Sequence, residues 1–151
     1  IVSPMAAFSP CYGGPFLTLH PLVYANLLKE KLEQHQAPVY LVNTGWNGSS
    51  ATSGSKRIDL KLTKHIIDLI TDGKLDFNDS VRDKFFNLEI PLNLEGLDND
   101  FLDPKSSWNE LDKYYKTGNI LTELFNENFK NFDISDSNVL NAGPKIQSEG
   151  V

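Results

Sequence analysis

The chain has 151 residues, and its 40% hydrophobic and 23% charged residues are ordinary proportions for a soluble globular protein that can bury a core. Fourteen basic residues against twenty acidic ones give a net charge of −6, which argues against broad binding to nucleic acids or anionic membranes, since both need a basic face. No apolar run approaches the roughly 20 residues of a membrane-spanning helix. The single cysteine, Cys11, excludes an intrachain disulfide and is compatible with a reducing compartment.

The first predicted element is a helix that begins at Pro21, because proline is tolerated in the first helical turn. We expect it to end near His35, ahead of Pro38. The apolar stretch at 39–42 then has the character of a short strand buried in a parallel sheet. A helix followed closely by such a strand predicts an α/β architecture. The apolar positions of the helix recur at helical spacing, at Val23, Leu27, Leu28 and Leu32.

A loop rich in glycine and serine follows at residues 45–55, and its composition suggests a comparison with phosphate-binding loops. A Walker A loop carries four residues between its first glycine and a Gly-Lys-Ser/Thr triplet, so that backbone amides and one lysine wrap the phosphates. Here five residues separate Gly48 from Gly54, and Ser55 and Lys56 come next. The loop therefore does not match Walker A, and by itself it is typical of a solvated surface loop.

Arg57, directly after this loop, is the first candidate ligand-binding residue. Its planar guanidinium can stack on an adenine ring, with a cation–π attraction of about 0.5–2 kcal/mol that depends on desolvation. As one member of an isolated Lys-Arg pair, however, Arg57 is more simply explained as a surface charge beside the start of a strand.

Residues 58–62 alternate between apolar and polar types, which predicts a half-buried strand. Thr63 is then the predicted N-cap of a second helix, a role worth about 1 kcal/mol. Polar ligand atoms also bind at helix N-termini, so Thr63 has two candidate roles that the sequence does not separate. Gly73 is the predicted left-handed stop of this helix. The apolar stripe of the helix consists of Ile66, Ile67 and Ile70.

The clearest predicted helix is the last one in the chain. Ser107 and Glu110 form a capping-box pattern that starts it, and its apolar face runs down to Phe132. Gly118 weakens its middle by about 1 kcal/mol relative to alanine, so we expect a kink or a break there. Before this helix, residues 86–90 are predicted to be extended. After it, residues 133–151 are polar and predicted to be irregular.

The histidines and the acidic clusters predict neither a catalytic nor a metal site. His20, His35 and His65 lie in different predicted elements and lack metal-ligand spacing, so structural or exposed roles are the better interpretation. The acidic residues at 76–80 resemble the opening of an EF-hand loop, but Val81 stands where that loop needs glycine. No arrangement of Ser, His and Asp, or of Cys and His, has supporting context.

Ordered motifs from Phe8 to Lys145 closely resemble ATP-dependent phosphoenolpyruvate carboxykinases. The segments with counterparts in that family are, in chain order, FSPCYGGPFLTLHP, PVYLVNTGWNG, SKRIDLKLT, FNLEIP, LDPKSSW, LTELFNENFKNF and AGPK. The resemblance implies an α/β fold, namely the carboxyl-terminal segment of the family's mononucleotide-binding domain, with a mixed sheet and flanking helices. This partial domain is expected over residues 1–132, with the irregular tail at 133–151.

The same resemblance implies a function. Enzymes of this family convert oxaloacetate and ATP to phosphoenolpyruvate, ADP and carbon dioxide in gluconeogenesis, with Mg²⁺ and Mn²⁺, and we expect a cytoplasmic protein. By position, Arg57 and Ile58 correspond to the family's Arg-Ile pair beside the adenine of ATP, and Thr63 corresponds to its nucleotide-contacting threonine. Ser55 and Lys64 depart from the family's usual glycine and arginine, which affects the expected loop geometry more than the identity.

The family's other functional groups are expected outside this sequence. Its phosphate-binding lysine loop, the acidic pair that holds the metals and its oxaloacetate-binding residues all correspond to positions before Ile1. We therefore expect a piece of a longer enzyme, with no catalytic residue or metal ligand of its own and no activity by itself. Its expected partners are the substrates ATP and oxaloacetate, which it would bind together with the amino-terminal part of the enzyme. It is expected to bind neither nucleic acid nor membranes.

Two alternatives to this enzyme stay open from the sequence. The chain could be a non-catalytic α/β nucleotide-binding or interaction module derived from the same fold. It could also be a soluble α/β domain of unrelated role that carries an exposed Gly/Ser loop.

Overall fold

The computed structural model describes residues 7–9, 16–49 and 55–148, which belong to two compact units, Ile1–Asn43 and Thr44–Val151. Cys11 and residues 50–54 of the Gly/Ser loop lie outside the described residues. Among the helices that are described, none is both long and apolar enough to cross a membrane. The division into a domain at 1–132 and a tail at 133–151 stays a prediction.

Helix α1 of the first unit spans Pro21–His35, as the sequence predicts. His20 caps its start, because the ring Nδ1 accepts a hydrogen bond from the backbone N–H of Leu22 at 3.3 Å. Gln36 ends it in a left-handed conformation with φ of 50°, and its backbone N–H donates to the carbonyl of Leu32. No residue of α1 is buried, so its predicted apolar stripe is largely exposed in this structure.

The predicted strand at 39–42 is wrong. These residues form neither a strand nor a bridge, and Leu41 is 77% exposed. A strand needs a hydrogen-bonded neighbour, and no described strand pairs with this segment. An apolar run indicates a buried strand only where other strands lie beside it.

Helix α2 of the second unit spans Leu60–Thr71 and therefore begins earlier than predicted. The strand at 58–62 is absent, and Thr63 is not the N-cap. Asp59 takes that role, because its carboxylate accepts a hydrogen bond from the backbone N–H of Lys61 at 2.6 Å. Aspartate is among the best N-cap residues, and five alternating residues are too few to distinguish a strand from a helix start.

The end of α2 follows the prediction at Gly73, which has a φ of 66°. The backbone N–H of Gly73 donates to Ile70, and that of Lys74 donates to Leu69, the two bonds of a Schellman motif. The ring Nε2 of His65 lies 2.6 Å from the carbonyl oxygen of Glu95 and ties α2 to the loop at residues 92–98. This contact agrees with the structural role expected for His65.

The sheet is a two-stranded antiparallel pair, formed by β1 (Ser80–Arg82) and β2 (Glu89–Pro91). Between the strands, the carboxylate of Asp83 accepts the backbone N–H of Phe86 at 2.6 Å and so shapes the turn. The helices and this sheet confirm the α/β class. Within the described residues the sheet is antiparallel and small, whereas a mixed sheet was expected.

Phe85 lies at the centre of the core of the second unit and is 2% exposed. Its ring meets Tyr114 edge-on at 5.5 Å between centroids and Tyr115 at 6.0 Å. Both tyrosines belong to helix α4, Leu111–Phe129, which continues through Gly118. The expected break is therefore absent. A Cβ added at Gly118 would lie 2.5–2.8 Å from three Phe85 ring atoms, so glycine admits the ring.

The capping box predicted for α4 is also wrong. Its N-cap is Glu110, whose side chain makes no capping hydrogen bond, and Ser107 lies before the helix. The short helix α3, Asn99–Leu102, precedes this region. The hydroxyl of Ser107 is engaged with Asn47, a residue far away in sequence. A tertiary hydrogen bond has thus replaced the local one that the S-W-N-E pattern suggests.

The segment predicted to be irregular contains helix α5, Ser137–Ala142. Beyond it the chain is fixed to α4, because the side-chain amide of Asn119 exchanges two hydrogen bonds of 2.8 Å with the backbone of Gln147. The backbone N–H of Lys145 donates to the carbonyl of Phe85 at 2.7 Å. Part of this polar segment is therefore docked on the core.

Candidate functional site

The candidate site is built on an isolated antiparallel bridge between Trp46 and Arg57. The backbone N–H of Ile58 donates to the carbonyl of Gly45 at 2.8 Å, next to the bridge. The two ends of the Gly/Ser loop therefore meet as a short ladder. Nearby, the hydroxyl of Ser55 donates to the carbonyl of Ser49 at 3.1 Å and closes the base of the loop.

The side chain of Arg57 is fixed at two points although it is exposed. Its Nε donates to the carbonyl oxygen of Thr44 at 3.0 Å. Its Cζ lies over the ring of Trp46, at 5.8 Å from the ring centroid, within the range of a cation–π interaction. A planar, permanently charged group is thus held at the surface, which suits stacking on a flat polar ring.

Ile58 and Thr63 continue the same connection into α2. Ile58 is half-buried, directly after Arg57, and offers an apolar side chain and backbone groups. Thr63 lies in the first part of α2, where its hydroxyl donates to the carbonyl of Asp59 at 3.2 Å. That hydrogen bond uses the proton of the hydroxyl and leaves its oxygen able to accept. The three predicted ligand-binding residues therefore lie along one short stretch of chain, which runs from the bridge at Arg57 into the first part of α2.

A contact that the sequence did not predict anchors the other side of the loop. Ser107 Oγ donates to Asn47 Oδ1 at 2.8 Å. Beside it, Gly48 has a φ of 81°, and a Cβ added there would overlap the carbonyl oxygen of Ser107. The segment before α4 therefore packs directly on the backbone at Gly48. In the sequence only Gly48 points to a close backbone approach at this position. The tertiary structure is needed to identify Ser107 as the residue that approaches it.

A separate pocket of about 260 Å³ lies beside the core, lined by residues of β1, by the segment at 103–105 and by two tyrosines of α4. Burial raises the pKa of Tyr114 in this pocket to about 12, and the carboxylates of Asp83 and Asp103 add to the shift by disfavouring a phenolate. A phenol that keeps its proton so firmly is a poor general base near neutral pH.

The described residues do not assemble a metal site. No group of three or more His, Cys, Asp or Glu side chains lies close enough to hold an ion within 7–9, 16–49 and 55–148. The acidic stretch at 76–80 contains a local turn instead, in which the carboxylate of Asp76 accepts the backbone N–H of Asn78 at 2.8 Å.

Comparisons with known proteins identify the relatives of this chain. Residues 1–100 match the family model described as phosphoenolpyruvate carboxykinase. The protein named phosphoenolpyruvate carboxykinase (ATP) from Candida glabrata is 44% identical over 148 residues, which are 97% of this chain and 27% of that protein. Proteins of the same name from Emericella nidulans and Sulfurimonas denitrificans are each 41% identical, over 97% and 98% of this chain. This chain covers 25% and 28% of their lengths, so it spans about a quarter of the curated relatives that it matches.

Proposed function

This chain belongs to the phosphoenolpyruvate carboxykinase family, and from that premise we propose that it supplies the adenine side of the ATP site in an ATP-dependent phosphoenolpyruvate carboxykinase. The intact enzyme would convert oxaloacetate and ATP to phosphoenolpyruvate, ADP and carbon dioxide. We place this activity in the cytoplasm and in gluconeogenesis. The chain would act together with the rest of the enzyme and would be inactive by itself.

The proposed roles follow from the chemistry of three side chains. The guanidinium of Arg57 stacks on the purine, where its charge and plane both contribute. Ile58 forms an apolar wall against the edge of the ring. The hydroxyl oxygen of Thr63 accepts a hydrogen bond from the nucleotide, while the hydroxyl proton is donated to the backbone carbonyl of Asp59.

One observation carries this proposal. Arg57 is exposed, yet it is held by a carbonyl at Nε and by an aromatic ring at Cζ, directly before the start of α2. These two contacts order the guanidinium at the surface, although ordering a long side chain opposes its conformational entropy. Fixing the guanidinium in advance reduces what ligand binding must order.

The divalent metals of the reaction are not assigned to this chain. Mg²⁺ and Mn²⁺ prefer carboxylate and carbonyl oxygens, and the described residues bring no three acidic or histidine side chains together. We propose that the rest of the enzyme supplies both the metal ligands and the catalytic residues.

The test is the substitution Arg57→Ala in the intact enzyme. We expect the Kd for ATP to rise by about 2- to 30-fold, the equivalent of about 0.5–2 kcal/mol of cation–π attraction, while the KM for oxaloacetate stays unchanged. Titration calorimetry with ATP and steady-state kinetics with oxaloacetate measure the two quantities.

Arg82→Ala is the matched control, because it also removes an exposed arginine, one that lies on β1 and pairs with Glu89 at 2.8 Å. It should leave the Kd for ATP unchanged. An unchanged ATP affinity in the Arg57 variant would contradict the proposed role. ATP binding without carboxykinase turnover in the unsubstituted protein would instead favour the non-catalytic nucleotide-binding module.

A further inference from the structure

We propose that Trp46 is a positioning residue for ATP binding, which holds the guanidinium of Arg57 from one face so that the other face meets the purine. This inference rests on the proposed function and deepens it. It adds to the site a residue that does not contact the nucleotide and whose effect passes entirely through Arg57.

The contacts of Arg57 support this arrangement. The backbone bridge places Trp46 and Arg57 opposite each other on neighbouring segments, where side chains on one face of a ladder are close. Arg57 Cζ lies over the indole ring at 5.8 Å from its centroid. The carbonyl of Thr44 accepts from Nε at 3.0 Å and so restricts rotation of the guanidinium plane.

The planarity of the guanidinium explains why one aromatic partner leaves room for another. A planar cation has two faces, and the indole can cover only one of them. Tryptophan is the strongest cation–π partner among the aromatic residues, and arginine keeps its charge at any physiological pH. An indole–guanidinium–purine stack would therefore use both faces of a single side chain.

The backbone next to Trp46 is anchored by contacts with Ser107. Asn47, the next residue, accepts a hydrogen bond from Ser107, and Gly48 packs against the backbone of Ser107. The backbone that carries Trp46 is thus tied to the segment before α4. A platform fixed in this way can restrict a long side chain, whereas a mobile one cannot.

The experiment combines Trp46→Ala, Trp46→Phe and Trp46→Ala/Arg57→Ala in the intact enzyme. We expect Trp46→Ala to raise the Kd for ATP by about 2- to 5-fold, the range of an exposed cation–π contact. Trp46→Phe keeps an aromatic face and should restore most of the affinity. The KM for oxaloacetate should not change in either variant.

The double variant separates positioning from direct contact. If Trp46 acts through Arg57, Trp46→Ala has no further effect on the Kd once Arg57 is alanine, so the double variant binds ATP as Arg57→Ala does. If the two losses multiply instead, Trp46 contacts the nucleotide directly and the positioning role is overturned. Melting temperatures measured in parallel show whether each variant is folded.

The outcomes also distinguish this inference from the proposed function. An Arg57→Ala variant with normal ATP affinity would remove the proposed function itself. A weakened Arg57→Ala variant beside an unaffected Trp46→Ala variant would leave the proposed function standing and overturn the role of Trp46.

Discussion

Gly48 and Gly73 both have positive φ angles, of 81° and 66°, but their surroundings differ. A Cβ at Gly48 would overlap the carbonyl oxygen of Ser107, whereas a Cβ at Gly73 would meet nothing within 4 Å. The two positions therefore separate the effect of backbone strain from that of lost space.

We expect Gly73→Ala to lower the free energy of unfolding by about 1 kcal/mol, the strain of a left-handed alanine. Gly48→Ala should cost more, because the backbone at Ser107 must also move, and it should weaken ATP binding through the displaced loop. Urea denaturation and ATP titration of both variants measure these effects. Equal stability losses in the two variants would show that the packing between Gly48 and Ser107 is unimportant.

At the scale of elements, α4 shows how a tertiary contact can reverse a local preference. Alanine is a better helix former than glycine by about 1 kcal/mol, so propensity alone predicts that Gly118→Ala stabilises the protein. The ring of Phe85 occupies the space that the new methyl group needs. We expect Gly118→Ala to destabilise the protein instead, by about 1–3 kcal/mol, as overpacking does.

A second substitution tests the cause. Phe85→Leu removes the Cζ, Cε1 and Cε2 atoms that the new methyl group would meet, so Gly118→Ala should become neutral or stabilising when it is introduced beside Phe85→Leu. Urea denaturation of the two single variants and the double variant gives the coupling energy. Additive effects would mean that the methyl group and the ring do not compete for the same space.

The elements that the sequence predicts well are those whose signals are local. The bounds of α1 follow from Pro21 at its start and from Pro38 shortly after its end, and Gly73 ends α2 through its own backbone conformation. The same residue types mislead where a distant partner decides. Ser107 resembles a helix cap but bonds Asn47, and Gly118 resembles a break but accommodates Phe85.

The candidate site is predictable to a similar extent. The family motif predicts Arg57, Ile58 and Thr63 as the ligand-binding residues, and their roles toward a nucleotide stay predictions. Asp59 displaced Thr63 as the N-cap because its carboxylate reaches the N–H of Lys61. Trp46 could not be assigned from the sequence, since its partner is set by a bridge across the Gly/Ser loop.

At the scale of the whole molecule, the raised pKa of Tyr114 makes stability depend on pH at the alkaline end. In the folded protein the phenol of Tyr114 has a pKa of about 12, whereas in an unfolded chain its pKa is near the ordinary tyrosine value of about 10. Between these values the folded state binds more protons, so the free energy of unfolding falls as the pH rises.

We expect a loss on the order of 1 kcal/mol from pH 10 to pH 12, after allowing for solvent screening of a partly exposed ring. Denaturant unfolding at several alkaline pH values measures it. Tyr114→Phe removes the titrating group, so the free energy of unfolding of this variant should change less between pH 10 and pH 12. A variant with the same pH dependence as the original protein would rule out Tyr114 as its source.

The hydrogen bond between Asn47 and Ser107 joins residues 60 positions apart, and this separation has a consequence for biosynthesis. At about 5–20 residues per second, a ribosome needs roughly 3–12 s to reach Ser107 after it has made Asn47. During that interval the backbone at Asn47 and Gly48 lacks the contacts with Ser107 that later anchor it. We expect the surface that we propose to face the purine to form only after Ser107 has left the exit tunnel, so nascent polypeptides should gain nucleotide affinity late.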